Sequence, residues 1–208
     1  MMKNQCLCMN RKMILLMFIL LFNTVVWGQM LEISELQKQT LFTSFEQAGN
    51  VPVDSVYRLS FKRKLPNDFE QQIQQYPALQ ELHLKGMRLK HAPEVIWTLT
   101  NLTILDLSNN RIDSLSIKVG KLIHLEQLIL NRNYLLDLPA EIVHLSKLSF
   151  LDLWSNMIIE FPVEITALEN SLKIVDMRVI TINDEYREQL QSLLPKTKFI
   201  FSKSCNCR

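Results

Sequence analysis

A chain of 208 residues, 48% of them hydrophobic, has the mass for one ordinary domain with a real core. A formal net charge of +2 excludes a strong field for nucleic acid or acidic membrane surfaces. Glycine is scarce and no low-complexity tract occurs, so the pattern predicts no disordered linker.

Residues 1–28 read as a signal peptide. Lys3, Arg11 and Lys12 form a positive n-region, 13–22 is an unbroken apolar run, and Val26 and Gly28 suit cleavage before Gln29. The run falls short of the ~20 residues that a membrane-spanning helix needs. Gln29, not Cys, would be the first mature residue, which argues against a lipid anchor. Cleavage removes three cations from the net +2 and leaves a mature charge of about −1. It also removes Cys6 and Cys8, leaving Cys205 and Cys207.

Residues 29–55 are expected to form an N-terminal capping helix and linker. Ile33, Leu36, Leu41, Phe42 and Phe45 recur at roughly helical spacing, which predicts one helix over 31–48 covering the first strand.

From residue 56 the chain repeats every 23 residues. Val56, Leu79, Leu102, Leu125 and Leu148 start the copies. Leu59, Leu82, Leu105, Leu128 and Leu151 follow three residues on, and Phe61, Leu84, Leu107, Leu130 and Leu153 five on. Ile73, Ile96, Val119, Ile142 and Ile165 make a further apolar column, as do Tyr76, Leu99, Leu122, Leu145 and Leu168. The period-two LxL core of each copy predicts a short strand, stacked in parallel on the next at ~4.8 Å. Asn110, Asn133 and Asn156 follow the strands and are expected to bind turn backbone as a ladder, interrupted at Met87 and Lys64. Pro93, Pro139 and Pro162 mark where the chain turns onto the far side, with Ser116 in one copy.

Residues 171–208 read as a C-terminal cap, since no repeat can bury its own face. Leu172, Val175 and Met177 predict one more strand, offset by a single inserted residue. A helix follows over about 184–194, with Tyr186, Leu190, Leu193 and Leu194 on one face and Pro195 as its stop. Residues 196–202 alternate like a strand. In the tail, Cys205 and Cys207 are expected to pair as a strained local disulfide. A metal-binding pair, a link to a partner and a tail without a role remain open beside it.

The consensus LxxLxLxxNxLxxLPxxIxxLxx, clearest at 125–147, resembles the leucine-rich repeat of the 23-residue type, as in bacterial exported and Ras-suppressor-type proteins. The resemblance covers 56–170 as five repeats. It implies an α/β solenoid: a short curved parallel β-sheet on the concave face, turns and short helices on the convex face, and helical caps at both ends. It further implies that the variable strand residues line the surface a partner uses.

Mapped on that face, the expected partner-binding residues are Ile104, Ile129, Arg132, Tyr134, Phe150, Trp154 and Met157, because large side chains projecting from a strand toward solvent are candidate hot spots. Arg58, Lys62, Arg63, Lys85, Arg88, Arg111 and Arg132 form a basic stripe toward the first repeats and along the edge after the strands that would steer an acidic partner. Asp106, Asp152 and Asp176 share one column, and Asp106 and Asp152 read as possible electrostatic contacts. The Asp152 and Asp176 pair is weak ground for catalysis or Ca²⁺ binding, because a shallow face offers no cleft that excludes water. His83 falls on the concave side and His91, His124 and His144 at turn or convex positions, without metal-ligand spacing. No phosphate loop, nucleophile elbow or zinc motif is present.

These readings predict a non-enzymatic module, periplasmic, cell-surface or secreted, that binds a protein or peptide through its concave face. The alternative is a structural or assembly component of the cell envelope. No cofactor, metal, nucleic acid, small-molecule substrate or stable membrane insertion is expected. About six strands give a sheet only ~25–30 Å long, and its concave patch falls below the ~800 Å² per partner of a standard interface. A partner must therefore be a peptide or loop, or grip the flanks as well.

Overall fold

The computed structural model describes residues 30–202. The signal segment 1–28 and the cysteines Cys205 and Cys207 lie outside the described residues. Eight parallel strands form one open sheet in chain order: β1 (Leu41–Phe42), β2 (Arg58–Ser60), β3 (Glu81–His83), β4 (Ile104–Asp106), β5 (Gln127–Ile129), β6 (Phe150–Asp152), β7 (Ile174–Asp176) and β8 (Lys198–Ile200). The expected repeat register holds strand by strand. Leu59 pairs with Leu82, Leu82 with Leu105, Leu105 with Leu128 and Leu128 with Leu151. The single inserted residue puts Val175 opposite Leu151.

The fold is a leucine-rich-repeat solenoid, and the five apolar columns are its core. All their members are buried except Leu99, which is half-buried against it. On the far side the chain closes each turn with a short 3-10 helix: Glu94–Thr98, Ile117–Lys121, Ala140–His144 and Val163–Leu168. Pro93, Pro139 and Pro162 stand immediately before three of these, where an N–H would lack a partner in any case. Ser116 takes the same place before the fourth, and its hydroxyl accepts from Lys118 N.

The asparagine ladder forms as expected. Asn133 Nδ2 donates to Leu107 O (3.0 Å) and Leu130 O (2.8 Å), while its Oδ1 accepts from Ile112 N (3.0 Å). Asn110 and Asn156 repeat the pattern one turn to either side. Each amide thus ties its own turn to the preceding one, satisfying buried backbone groups that no strand partner reaches.

Just before each asparagine position the backbone turns left-handed. Arg63, Gly86, Asn109, Arg132, Ser155 and Val179 occupy this place in successive repeats, all with φ between 55° and 73°. Only Gly86 and Asn109 are residue types suited to it, and Val179, branched at Cβ and 62% exposed, is strained there. Replacing Val179 by Asn, which tolerates this conformation, should stabilise the protein by about 1 kcal/mol. Denaturant unfolding checks this, and a loss of stability would show that the valine's packing outweighs its strain.

The N-terminal region departs from the single expected helix. Two one-turn helices, α1 (Ile33–Leu36) and α2 (Phe45–Ala48), flank the strand β1. The reason lies at the sheet edge: an unpaired β2 would leave a row of open backbone groups, and Leu41–Phe42 pairs with it instead of continuing a helix. Ser44 then caps α2 through Gln47 N. Phe45 closes the core end by packing on Phe61, Phe69 and Tyr76, with ring centroids 4.8, 6.0 and 5.8 Å away. Between β2 and β3 a further short helix, α3 (Phe69–Ile73), replaces the 3-10 turn.

Among the described residues after the repeats, strand β7 is followed by a helix and a last strand. A longer helix, α4 (Asp184–Leu193), buries Leu190 over the last repeat, and Tyr186 Oη accepts from Phe161 N at 2.6 Å. β8 then extends the sheet beside β7. The sheet therefore has eight strands, not about six, because β1 and β8 add to the repeats.

Candidate functional site

Residues that alternate with the leucines of each strand point away from the core and form the outer face of the sheet. That face is divided in two. Over its N-terminal half lies a segment of the chain itself. Arg58 Nη1 donates to Gln37 O (3.1 Å) and Gln39 O (3.0 Å), and Leu31 N donates to the Gln80 side chain (3.2 Å). Leu36 is fully buried yet lies outside the continuous core, as does Ile104 at 5% exposure. Residues 31–39 thus run across the outer side of the first strands.

This corrects the expectation that Ile104 is an exposed anchor: it is buried, on the strand between the covered first strands and the rest of the face. The same holds for Asp106, only 8% exposed and engaged by protein donors.

Beneath the segment runs a chain of alternating charges. Arg58 makes a bidentate pair with Glu81 (2.8 and 2.9 Å). Glu81 meets His83 Nε2 at 2.5 Å, His83 Nδ1 meets Asp106 at 3.2 Å, and Asp106 also accepts from Ser108 N at 2.8 Å. Burial alone would push the His83 pKa down, but the Asp106 and Glu81 carboxylates on either side outweigh it and raise it to about 9. Burial likewise pushes the two carboxyls up, while hydrogen bonds from His83, and from Arg58 or Ser108, bring both below their ordinary range. Arg58, Glu81 and His83 were not singled out from the sequence as a unit. The available signal was an Arg, a Glu, a His and an Asp at outward positions of adjoining repeats.

Among the described residues, no hydrogen bond from segment 31–39 reaches the other half of the face, over β5 to β8. Ile129 and Phe150 are half-buried there and occupy neighbouring strands. Trp154, at the end of the same stretch as Phe150, is also half-buried, and it lies between two guanidinium groups. Arg132 sits 4.6 Å and Arg178 5.7 Å from the ring centre. Arg178 in turn grips Asp176 (2.7 Å). Sequence reading missed Arg178 because the inserted residue after the fifth repeat shifts its column by one position.

Asp152 and Asp176 do stand opposite each other on neighbouring strands. Asp176 is held by Arg178, and Asp152 accepts from Asn131 Nδ2 at 2.6 Å and Trp154 N at 3.1 Å. Burial and the neighbouring Asp176 push the Asp152 carboxyl up, against its hydrogen bonds. Both carboxylates are thus committed to protein donors, as structural acids are.

Lys62, Lys85, Arg88, Arg111, Tyr134 and Met157 are all exposed, along the edge where the chain leaves the strands. None of them is among the guanidinium partners of Trp154, and Lys62 and Lys85 lie several strands away from it.

Residues 100–158 match the family model described as leucine rich repeat. Among solved structures, the chain is similar to a leucine-rich-repeat protein of Leptospira interrogans, 29% identical, with a TM-score of 0.62 over 79% of this chain and 48% of that one. It therefore spans about half the length of that protein. It also shares the fold of the leucine-rich-repeat ectodomain of a plant membrane receptor kinase from Arabidopsis thaliana, solved in complex with Casparian strip integrity factor 2. That match is 24% identical with a TM-score of 0.51, over 74% of this chain and 19% of that one. No curated protein matches the chain. Leucine-rich-repeat domains are non-enzymatic binding modules whose general use is protein–protein recognition. Among the described residues, no helix is long and apolar enough to cross a membrane.

Proposed function

We propose that this chain, a leucine-rich-repeat solenoid, is an exported recognition module that binds a protein or peptide through the open half of its sheet face. The observation that carries the reading is the Arg132–Trp154–Arg178 stack beside Ile129 and Phe150. A tryptophan held between two guanidiniums is fixed in place before a partner arrives, so little side-chain freedom is lost on binding. Large rigid aromatics and arginines are the residue types that carry interface energy. The division of the face supports the same location, since the chain's own segment 31–39 occupies the other half. Export rests on the residue pattern of 1–28, and a periplasmic, cell-surface or secreted setting follows from it.

The test is a binding measurement with the partner crosslinked to the protein in its own envelope extract. Trp154→Ala should weaken binding by about 2 kcal/mol or more, roughly 30-fold, while thermal melting stays close to that of the parent because the ring is not part of the core. Ile123→Ala, at an exposed position on the far side, should leave binding unchanged. Equal losses in the two variants, or none in Trp154→Ala, would overturn the assignment.

A further inference from the structure

We infer that the partner carries an apolar stretch adjoining an acidic one, and that it lies along the turn edge as well as on the open sheet. This rests on the recognition reading above and names the partner's chemistry. Arg88, Arg111, Tyr134 and Met157 occupy the same position in four successive repeats. Backbone bonds between turns hold them in one row: Arg111 N to Leu89 O, Tyr134 N to Ile112 O and Met157 N to Leu135 O, at 2.8 to 2.9 Å. The row changes character midway, from two cations to two apolar side chains.

Each half of the row is widened by its neighbours. Leu136 and Ile159 stand two residues beyond Tyr134 and Met157, and these four are 44 to 68% exposed, an apolar strip whose two repeats are tied by Ile159 N donating to Leu136 O. On the other side, Arg88, Arg111 and Arg132 make no ion pair among the described residues. The Arg132 guanidinium is already oriented on Trp154, leaving its N–H fork for a carboxylate. Charge complementarity thus sets acidic side chains against the earlier repeats and apolar ones against the later repeats. The edge also adjoins the open sheet at Arg132 and Trp154, and it enlarges a strand surface that is small for a stable interface by itself.

Selection of random displayed peptides on the full chain tests this directly. The peptides retained should be enriched in Asp and Glu next to Leu, Ile, Phe or Met. The combined change Arg88→Gln, Arg111→Gln and Arg132→Gln should remove the acidic enrichment and keep the apolar one. Tyr134→Ser with Met157→Ser should do the reverse. Each should weaken the best parent-selected peptide by about tenfold or more. All five side chains are exposed, so unchanged thermal melts should accompany both variants.

Selected peptides without acidic bias, or indifferent to both variants, overturn the inference. So does displacement of the peptide by a heparin fragment at lower concentration than by the unlabelled peptide, which assigns the cations to a polyanionic glycan. Concentration-dependent self-association abolished by Met157→Glu would assign the apolar strip to a second copy of this chain and overturn it too. If the peptides fail while Trp154→Ala still weakens the crosslinked partner, the partner chemistry is wrong and the recognition reading stands.

Discussion

Truncating Leu130 to Ala should cost about 2–5 kcal/mol of folding stability. The side chain is fully buried in the fourth of the five repeats, with Leu107 and Leu153 at the same position on either side. Removing it leaves a cavity that parallel strands locked by the asparagine ladder cannot close, because Asn133 and Asn156 both donate to the Leu130 carbonyl. A solenoid transmits the loss in both directions, since each repeat is supported only by its neighbours. The variant should therefore melt well below the parent, while Ile117→Ala, 64% exposed on the far side, should stay within about 0.5 kcal/mol. A Leu130→Ala protein that melts with the parent would mean that the repeats do not act as one cooperative unit.

What made Leu130 readable in the sequence is repetition. A column such as Leu82, Leu105, Leu128 and Leu151 states the same burial four times, so strand position, register and inward direction follow from spacing alone. The asparagine ladder was legible for the same reason. Segment 31–39 has no copy elsewhere in the chain. Its placement is decided by contacts to distant residues, such as Leu31 with Gln80, 49 positions away, and Gln39 with Arg58, and no local pattern announces such pairings. Ile104 therefore read as exposed, correctly for its strand phase and wrongly for its surroundings. The left-handed column was hidden too, because Arg63, Arg132, Ser155 and Val179 carry none of the glycine signal that the conformation usually gives. Trp154 was legible as an outward-facing aromatic, but the second guanidinium beside it was not, since it comes from beyond the inserted residue.

The charge chain under segment 31–39 makes the second large effect. Glu81→Ala should destabilise the protein by about 3–5 kcal/mol, because it strips two hydrogen bonds from Arg58 and one from His83, leaving Arg58 largely buried without a counter-ion and His83 with Asp106 alone. Glu81 is itself only 3% exposed, so water replaces it poorly. Replacing the pair together, Arg58→Met with Glu81→Leu, should recover most of the loss, since two well-packed apolar side chains need no counter-charge.

The same chain sets a pH dependence with two limbs. His83 has a folded pKa of about 9, raised from its ordinary 6.5, so its contribution is fully present below 6.5, declines as pH rises, and is gone above about 9. Glu81 and Asp106 are shifted down, so theirs is present above the ordinary carboxylate range and lost as pH falls through the lowered values. Stability measured from neutral pH to about pH 10 should fall by about 1–2 kcal/mol in the parent from the His83 limb, and His83→Asn should lack that decline. Segment 31–39 is held by Arg58, so hydrogen exchange of its amides should quicken in Glu81→Ala before the repeats themselves open. A Glu81→Ala protein within 1 kcal/mol of the parent, with segment exchange unchanged, would show that water already solvates these charges and that the segment is held by Leu36 and the Leu31–Gln80 bond without Arg58.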